Sequence, residues 1–196
     1  MDDGAGKTNT PAVSEAGLDD FLPLSPAEAE IVARLQGDGL ERVGDGLRPQ
    51  EVGPERSVRA EFLRFLILKD SGSSHQRRGL RLSGAWITGV LDLEGCRIPR
   101  DIGLKDSHFE SVPVLRSAII DSLFLDGSRL PGLLAERLEA RGSVSMKGAL
   151  FTGGIRLAGA RLSGALEADG VCLDLPGETA LDASGIEVRG SVLMRG

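Results

Sequence analysis

Few residues in this chain stand where chemistry could begin. Gly6-Lys7-Thr8 has the ending of a phosphate-binding loop, but Met1 occupies the place of that motif's first glycine. No strand precedes it to hold backbone N–H groups around a phosphate. Gly37, Gly39 and Gly44 miss the dinucleotide pattern G-x-G-x-x-G, because Arg42 stands at its third glycine. The two histidines, His75 and His108, could each act as a general base, yet no paired nucleophile accompanies either. Cys96 and Cys172 lie 76 positions apart without C-x-x-C spacing. That pattern excludes a zinc ribbon and a disulfide framework, and fits a reducing cytoplasm. Cys96 is expected in the core and Cys172 outward, with no neighbour that marks a lowered thiol pKa. Acidic residues are scattered, with no D-x-D-x-D-G calcium loop. The reading is therefore of no catalytic residue, no cofactor and no metal.

With so little chemistry in view, the framework carries the information. Among 196 residues there are 27 Gly, 6 Phe, 1 Trp and no Tyr. Glycine is thus about twice its usual share of roughly 7%. Collagen is excluded, since no G-X-Y period runs through the chain and Pro numbers only 9. A hydrophobic content of 41% with a net charge of -6 excludes wholesale disorder. The acidic, polar N-terminus has no apolar core of a signal peptide. The longest apolar run, Phe62 to Leu68, is broken by Arg64 and is far too short to cross a bilayer. A soluble, cytoplasmic chain without a membrane segment is expected.

Residues 1–20 read as a disordered tail and 21–78 as a helical N-terminal cap. Ser25 is an N-cap, Pro26 suits the first helical position, and Glu28 completes an S-x-x-E capping box before Ile31, Val32 and Leu35. Gly37 and Gly39 stop that helix, and 37–50 reads as loop or a single helical turn. A second helix is expected from Pro54 or Ser57 to about Lys69, with Val58, Phe62, Phe65 and Leu66 on its apolar face, widened by Leu63 and Ile67. This face is expected to cover the open end of the region that begins at Gly79.

From Gly79 the periodicity changes. A column of large apolar residues runs Ile87, Ile98, Phe109, Ile120, Leu130, then Phe151, Leu162 and Leu173, at steps of 10 or 11 within each run. Two positions earlier stands a smaller residue, such as Ala85, Cys96, Ser107 or Ala118. Glycines, with Asp106 and Ser117 in two places, mark the corners, where tight backbone angles are needed. The stretch LLAERLEARG reads as a degraded unit. Two units make a coil of about 21 or 22 residues with four short faces, stacked at roughly the 4.8 Å of strand spacing. The expectation over 79–196 is a mainly β, right-handed, quadrilateral parallel β-helix of about five coils.

The small-then-large alternation resembles pentapeptide-repeat β-helices. Gly84 to Cys96 (GAWITGVLDLEGC) and Arg56 to Leu68 (RSVRAEFLRFLIL) resemble more closely a bacterial family labelled pentapeptide-repeat or "membrane-associated oxidoreductase". That resemblance implies further coils and a membrane-embedded part in a longer native protein, with this chain as its soluble piece. It also implies a DNA-mimic alternative, since some pentapeptide-repeat proteins shield topoisomerases.

If alternate units share a face, one outward ladder stacks Trp86, His108, Arg129, Leu150 and Cys172. The opposite one stacks Arg97, Ile119, Glu139 and Arg161, ending at Gly185. The first is apolar for a solvent face and is the candidate interaction face, for a protein partner or a second copy. The solenoid carries 15 acidic and 13 basic residues. So balanced a surface is a poor phosphate mimic and too weakly basic to hold DNA. Three functions are weighed: a non-enzymatic scaffold, the DNA mimic, and an enzyme with a site in a solenoid groove. The scaffold is preferred.

Overall fold

The computed structural model describes residues 17–34, 41–69, 79–175 and 179–196. Gly6 to Thr8, Gly37, Gly39 and His75 lie outside these, as does most of the expected tail. Its last residues join a 3-10 turn, Leu18–Phe21. Helix α1 spans Pro26–Arg34. Its capping box is reciprocal: Glu28 N donates to Ser25 Oγ at 3.1 Å, and Ser25 N donates to Glu28 Oε2 at 3.0 Å.

The solenoid is mainly β and makes about five turns, with every strand pair parallel. Four stacked sheets form its sides. The first contains Leu80–Ser83, Ile102–Lys105, Leu123–Phe124, Val144–Ser145, Leu166–Glu167 and Val192–Leu193. The second contains Trp86–Thr88, His108–Phe109, Arg129–Leu130, Leu150–Phe151 and Cys172–Leu173. The third runs through Leu133–Leu134, Ile155–Arg156 and Leu181–Asp182, and bridges Asp92 and Val114 extend its line. The fourth runs from Arg97–Ile98 to Glu187–Val188. Strands this short survive because each backbone group pairs with the turn above or below. On the second side the bonds run His108 N to Ala85 O, Arg129 N to Ser107 O and Leu150 N to Ser128 O, all 2.8 Å.

The interior is a narrow stack. Ile87, Ile98, Phe109, Ile120, Leu130, Phe151 and Leu162 are buried, while Leu173 is 38% exposed. Ala85, Ala118, Ala149 and Ala160 fill the small slots. Ser107 and Ser128, also buried there, donate their hydroxyls to Lys105 O and Leu104 O, both at 2.8 Å. A buried hydroxyl without a partner would cost about 1–3 kcal/mol, so these bonds are what admit serine to the core.

Three expectations are corrected. Ser57–Arg59 is not helical: it is a strand, β2, paired with Trp86–Thr88, and helix α2 spans only Ala60–Leu68. Val58 therefore sits in register with Ile87 and is the core residue of a rung, not part of the helical face. The stretch read as loop contains a strand, β1 (Glu41–Arg42), in register with Leu82 and Ser83. The open edges of the first turn outweighed local propensity in both places. Finally, the degraded unit is regular. Leu138 occupies the small slot and Ala140 the large one, both buried, so the sizes are exchanged between neighbouring positions.

The corners Gly84, Gly95, Gly127, Gly148, Gly159 and Gly170 all have positive φ, and so do Asp106, Ser117 and Arg137. Gly153 has a different reason to be glycine, since a Cβ there would lie 1.8 Å from Pro131 O.

Helix α2 buries Phe62, Leu63, Phe65 and Ile67 in one cluster with Leu82 and Ile87 of the first turn, and Leu66 is partly buried beside them. The Phe21 ring packs on Phe62 and Phe65, with centroids 5.7 and 4.9 Å away. Arg64 Nε donates to Asp92 O at 2.7 Å, fastening the helix to the first turn.

Candidate interaction face

The second sheet holds its outward residues at rung spacing because each precedes an inward large side chain. Trp86 precedes Ile87, His108 precedes Phe109, Arg129 precedes Leu130 and Leu150 precedes Phe151. The register pairs Trp86 with His108, His108 with Arg129, Arg129 with Leu150 and Leu150 with Cys172. The ladder read from the repeat is thus present, and Ser57 of β2 extends it by one rung.

Trp86 and His108 are stacked, with ring centroids 3.7 Å apart and planes 8° from parallel. The indole Nε1–H donates to Glu110 Oε1 at 2.7 Å, which fixes the ring's rotation. Both rings are half-buried, Arg129 is exposed and Leu150 half-buried. Burial holds the His108 imidazole below the usual histidine range. Arg129 and Arg48 push the same way, and Glu110 opposes them. Arg48 reaches this side across the corner, its Nη1 donating to Gly127 O at 2.9 Å.

The opposite, fourth side is charged. Arg161 stands 3.6 Å from Glu139 and 3.7 Å from Glu187. Its ladder ends at Glu187, not at Gly185, because the last full turn is longer: Arg161 pairs with Glu187, 26 positions on, against 22 from Glu139 to Arg161. Gly185 is a corner residue with φ +66°. The register changes between Leu173, which pairs with Phe151 22 positions back, and Leu181, which pairs with Ile155 26 positions back.

Cys96 is half-buried and Cys172 exposed. Among the described residues no group of three or more His, Cys, Asp or Glu side chains is placed to hold a metal ion, and no helix is long and apolar enough to cross a membrane. One outward aromatic escaped the repeat reading. Phe124 lies on the first side, half-buried, with the Lys105 ammonium 5.2 Å from its ring centre. The signal was available: in Leu123-Phe124-Leu125 both leucines point inward, so the ring must point out.

Fold and face together define a four-sided parallel β-solenoid with a helical N-terminal region and an aromatic stack on one side. No protein-family model, curated protein or solved structure matches this chain.

Proposed function

We propose that this chain is a non-enzymatic repeat scaffold of the pentapeptide-repeat-like kind, working in the bacterial cytoplasm as the soluble part of a membrane-associated protein. Its Trp86 side docks protein surfaces, and a second copy of the chain is the partner to test first. The observation that carries this reading is the Trp86–His108 stack, held outward on a straight ladder with Leu150 two rungs beyond His108. Aromatic and arginine side chains on a rigid surface are the residues that dominate protein interfaces. The DNA-mimic alternative is disfavoured by the near-balanced charge of the solenoid and the paired ladder of the fourth side. An enzymatic reading gains nothing from His108, whose half-buried ring stacks on Trp86 and feels the charges of Arg129, Glu110 and Arg48.

Light scattering of the chain and of its Trp86→Glu/Leu150→Glu variant tests this reading. A mass above the monomer that returns to the monomer in the variant supports it. An equal mass in both overturns pairing of two copies through this side.

A further inference from the structure

The first side carries a recess whose shape is set by one absent side chain. Its register runs Arg81, Gly103, Phe124, each residue between two inward apolar neighbours. Gly103 leaves a groove of 270 Å³ bounded by Arg81, Lys105 and Phe124. Nothing in the backbone demands glycine there. Gly103 is not among the positive-φ residues, and the atoms nearest an added Cβ would be those of Arg81 at 3.4 to 3.6 Å, ordinary contact distances. Gly103 is buried at the floor of the groove, where any side chain would take up part of its volume.

The rim holds two ion pairs. Arg81 Nη2 is 2.8 Å from Asp101 Oδ2, and Lys105 Nζ is 2.8 Å from Asp126 Oδ2. Rungs lie about 4.8 Å apart, so a flat ring at the level of Gly103 sits about that far from both the Arg81 and the Phe124 rungs. That is inside the roughly 4.5–7 Å range of aromatic pairs and the roughly 6 Å reach of a cation over a ring. The volume is below the roughly 300–1,000 Å³ of sites for drug-sized ligands, and suits a single side chain. Although Asp101 and Asp126 pair with them, the Arg81 guanidinium and Lys105 ammonium still attract the face of an electron-rich ring, an attraction an aliphatic chain lacks.

We propose that the Gly103 groove receives a Trp or Tyr side chain of a partner polypeptide, held between the Arg81 guanidinium and the Phe124 ring. This rests on the protein-docking reading but uses a different side of the solenoid.

The test is an NMR titration of the isotope-labelled full chain with N-acetyl-L-tryptophanamide, with N-acetyl-L-leucinamide and adenosine for comparison. Saturable shifts of the Gly103 and Lys105 amides with the tryptophan probe, and none with the leucine probe, are expected. Gly103→Val fills the groove and Phe124→Ala removes a wall. Each should weaken binding about tenfold, the equivalent of about 1.4 kcal/mol, as for one aromatic contact. The second variant keeps the test available if the first does not fold. No saturable shift, equal response to the leucine probe, or full binding by both variants overturns the proposal. So does tighter binding of adenosine, which would make the groove a nucleobase site. Trp86→Glu should leave this titration unchanged, so failure here is separable from failure of the Trp86 side.

Discussion

At the scale of single residues, His108 offers the sharpest prediction. Its folded-state pKa is lowered by burial, with Arg129 and Arg48 adding to the effect. The unfolded chain then holds more protons below the ordinary value of about 6.5, so stability rises with pH through that window. The contribution is fully present above about pH 6.5 and is lost as the solution is acidified toward the folded value. Denaturant melts from pH 7.5 downward should show this fall, and His108→Gln should flatten it. Trp86 fluorescence should titrate with a midpoint below the ordinary histidine value, since the indole stacks directly on the imidazole. Glu28 makes a second case. Its side chain is fully buried, and burial alone would raise its pKa, but hydrogen bonds from Arg59 and Ser25 outweigh that and hold it low. Arg59 Nη2 lies 2.7 Å from Glu28 Oε2 and Nε 2.9 Å from Oε1. Removing the guanidinium with Arg59→Ala strands a buried carboxylate. A loss of about 2–3 kcal/mol in a urea melt is expected, less than the about 3–5 of a fully enclosed pair because Arg59 is partly exposed. The capping role of Glu28 was legible in the sequence; its partner 31 positions on was not, because nothing local marks a long-range ion pair.

At the scale of elements, the third turn shows how the repeat tolerates variation. Leu138 and Ala140 exchange the small and large slots that Ala118 and Ile120 fill one turn earlier. Leu138→Ala should cost about 2–5 kcal/mol through the cavity it leaves. Ala140→Leu alone should cost about 1–3 kcal/mol by overpacking. Together they restore the ordinary order, so the double variant should be at least about 1 kcal/mol more stable than the two losses added, a coupling that thermal melts can measure. The regular units were readable because side-chain direction in a strand repeats every two residues and the corners repeat with them. The exchanged unit was not, because a pattern of sizes cannot reveal a compensating swap. The boundary at Ser57 failed for another reason. Val58 and Phe62 have helical spacing, but Ser57–Arg59 gains a row of bonds to Trp86–Thr88, and the helix starts where that edge ends.

For the whole molecule, stability in a solenoid is shared among neighbouring turns, so it should vary along the axis. The second to fourth turns bury their rungs almost completely, whereas Leu173, Val192 and Met194 are 38%, 53% and 55% exposed. Amide hydrogen exchange should therefore be slowest at Ile120, Leu130 and Val144 and fastest at Val188 and Val192; uniform protection would contradict a one-dimensional stack. Phe62→Ala, at the helical end, should lower stability by about 3–5 kcal/mol, since the ring is wholly enclosed between α2, Phe21 and the first turn. The overall architecture was the most legible level, because a periodic chain states its geometry many times over. The exact count per turn was not, since four extra residues in one coil leave the inward columns intact. That longer coil has a practical meaning. Ile155 still pairs with Leu181 and Arg161 with Glu187, so the rungs on either side register as if nothing had been added. The chain between Leu173 and Leu181 therefore takes added length without moving a rung, so a foreign peptide grafted there would be displayed at a fixed height along the axis.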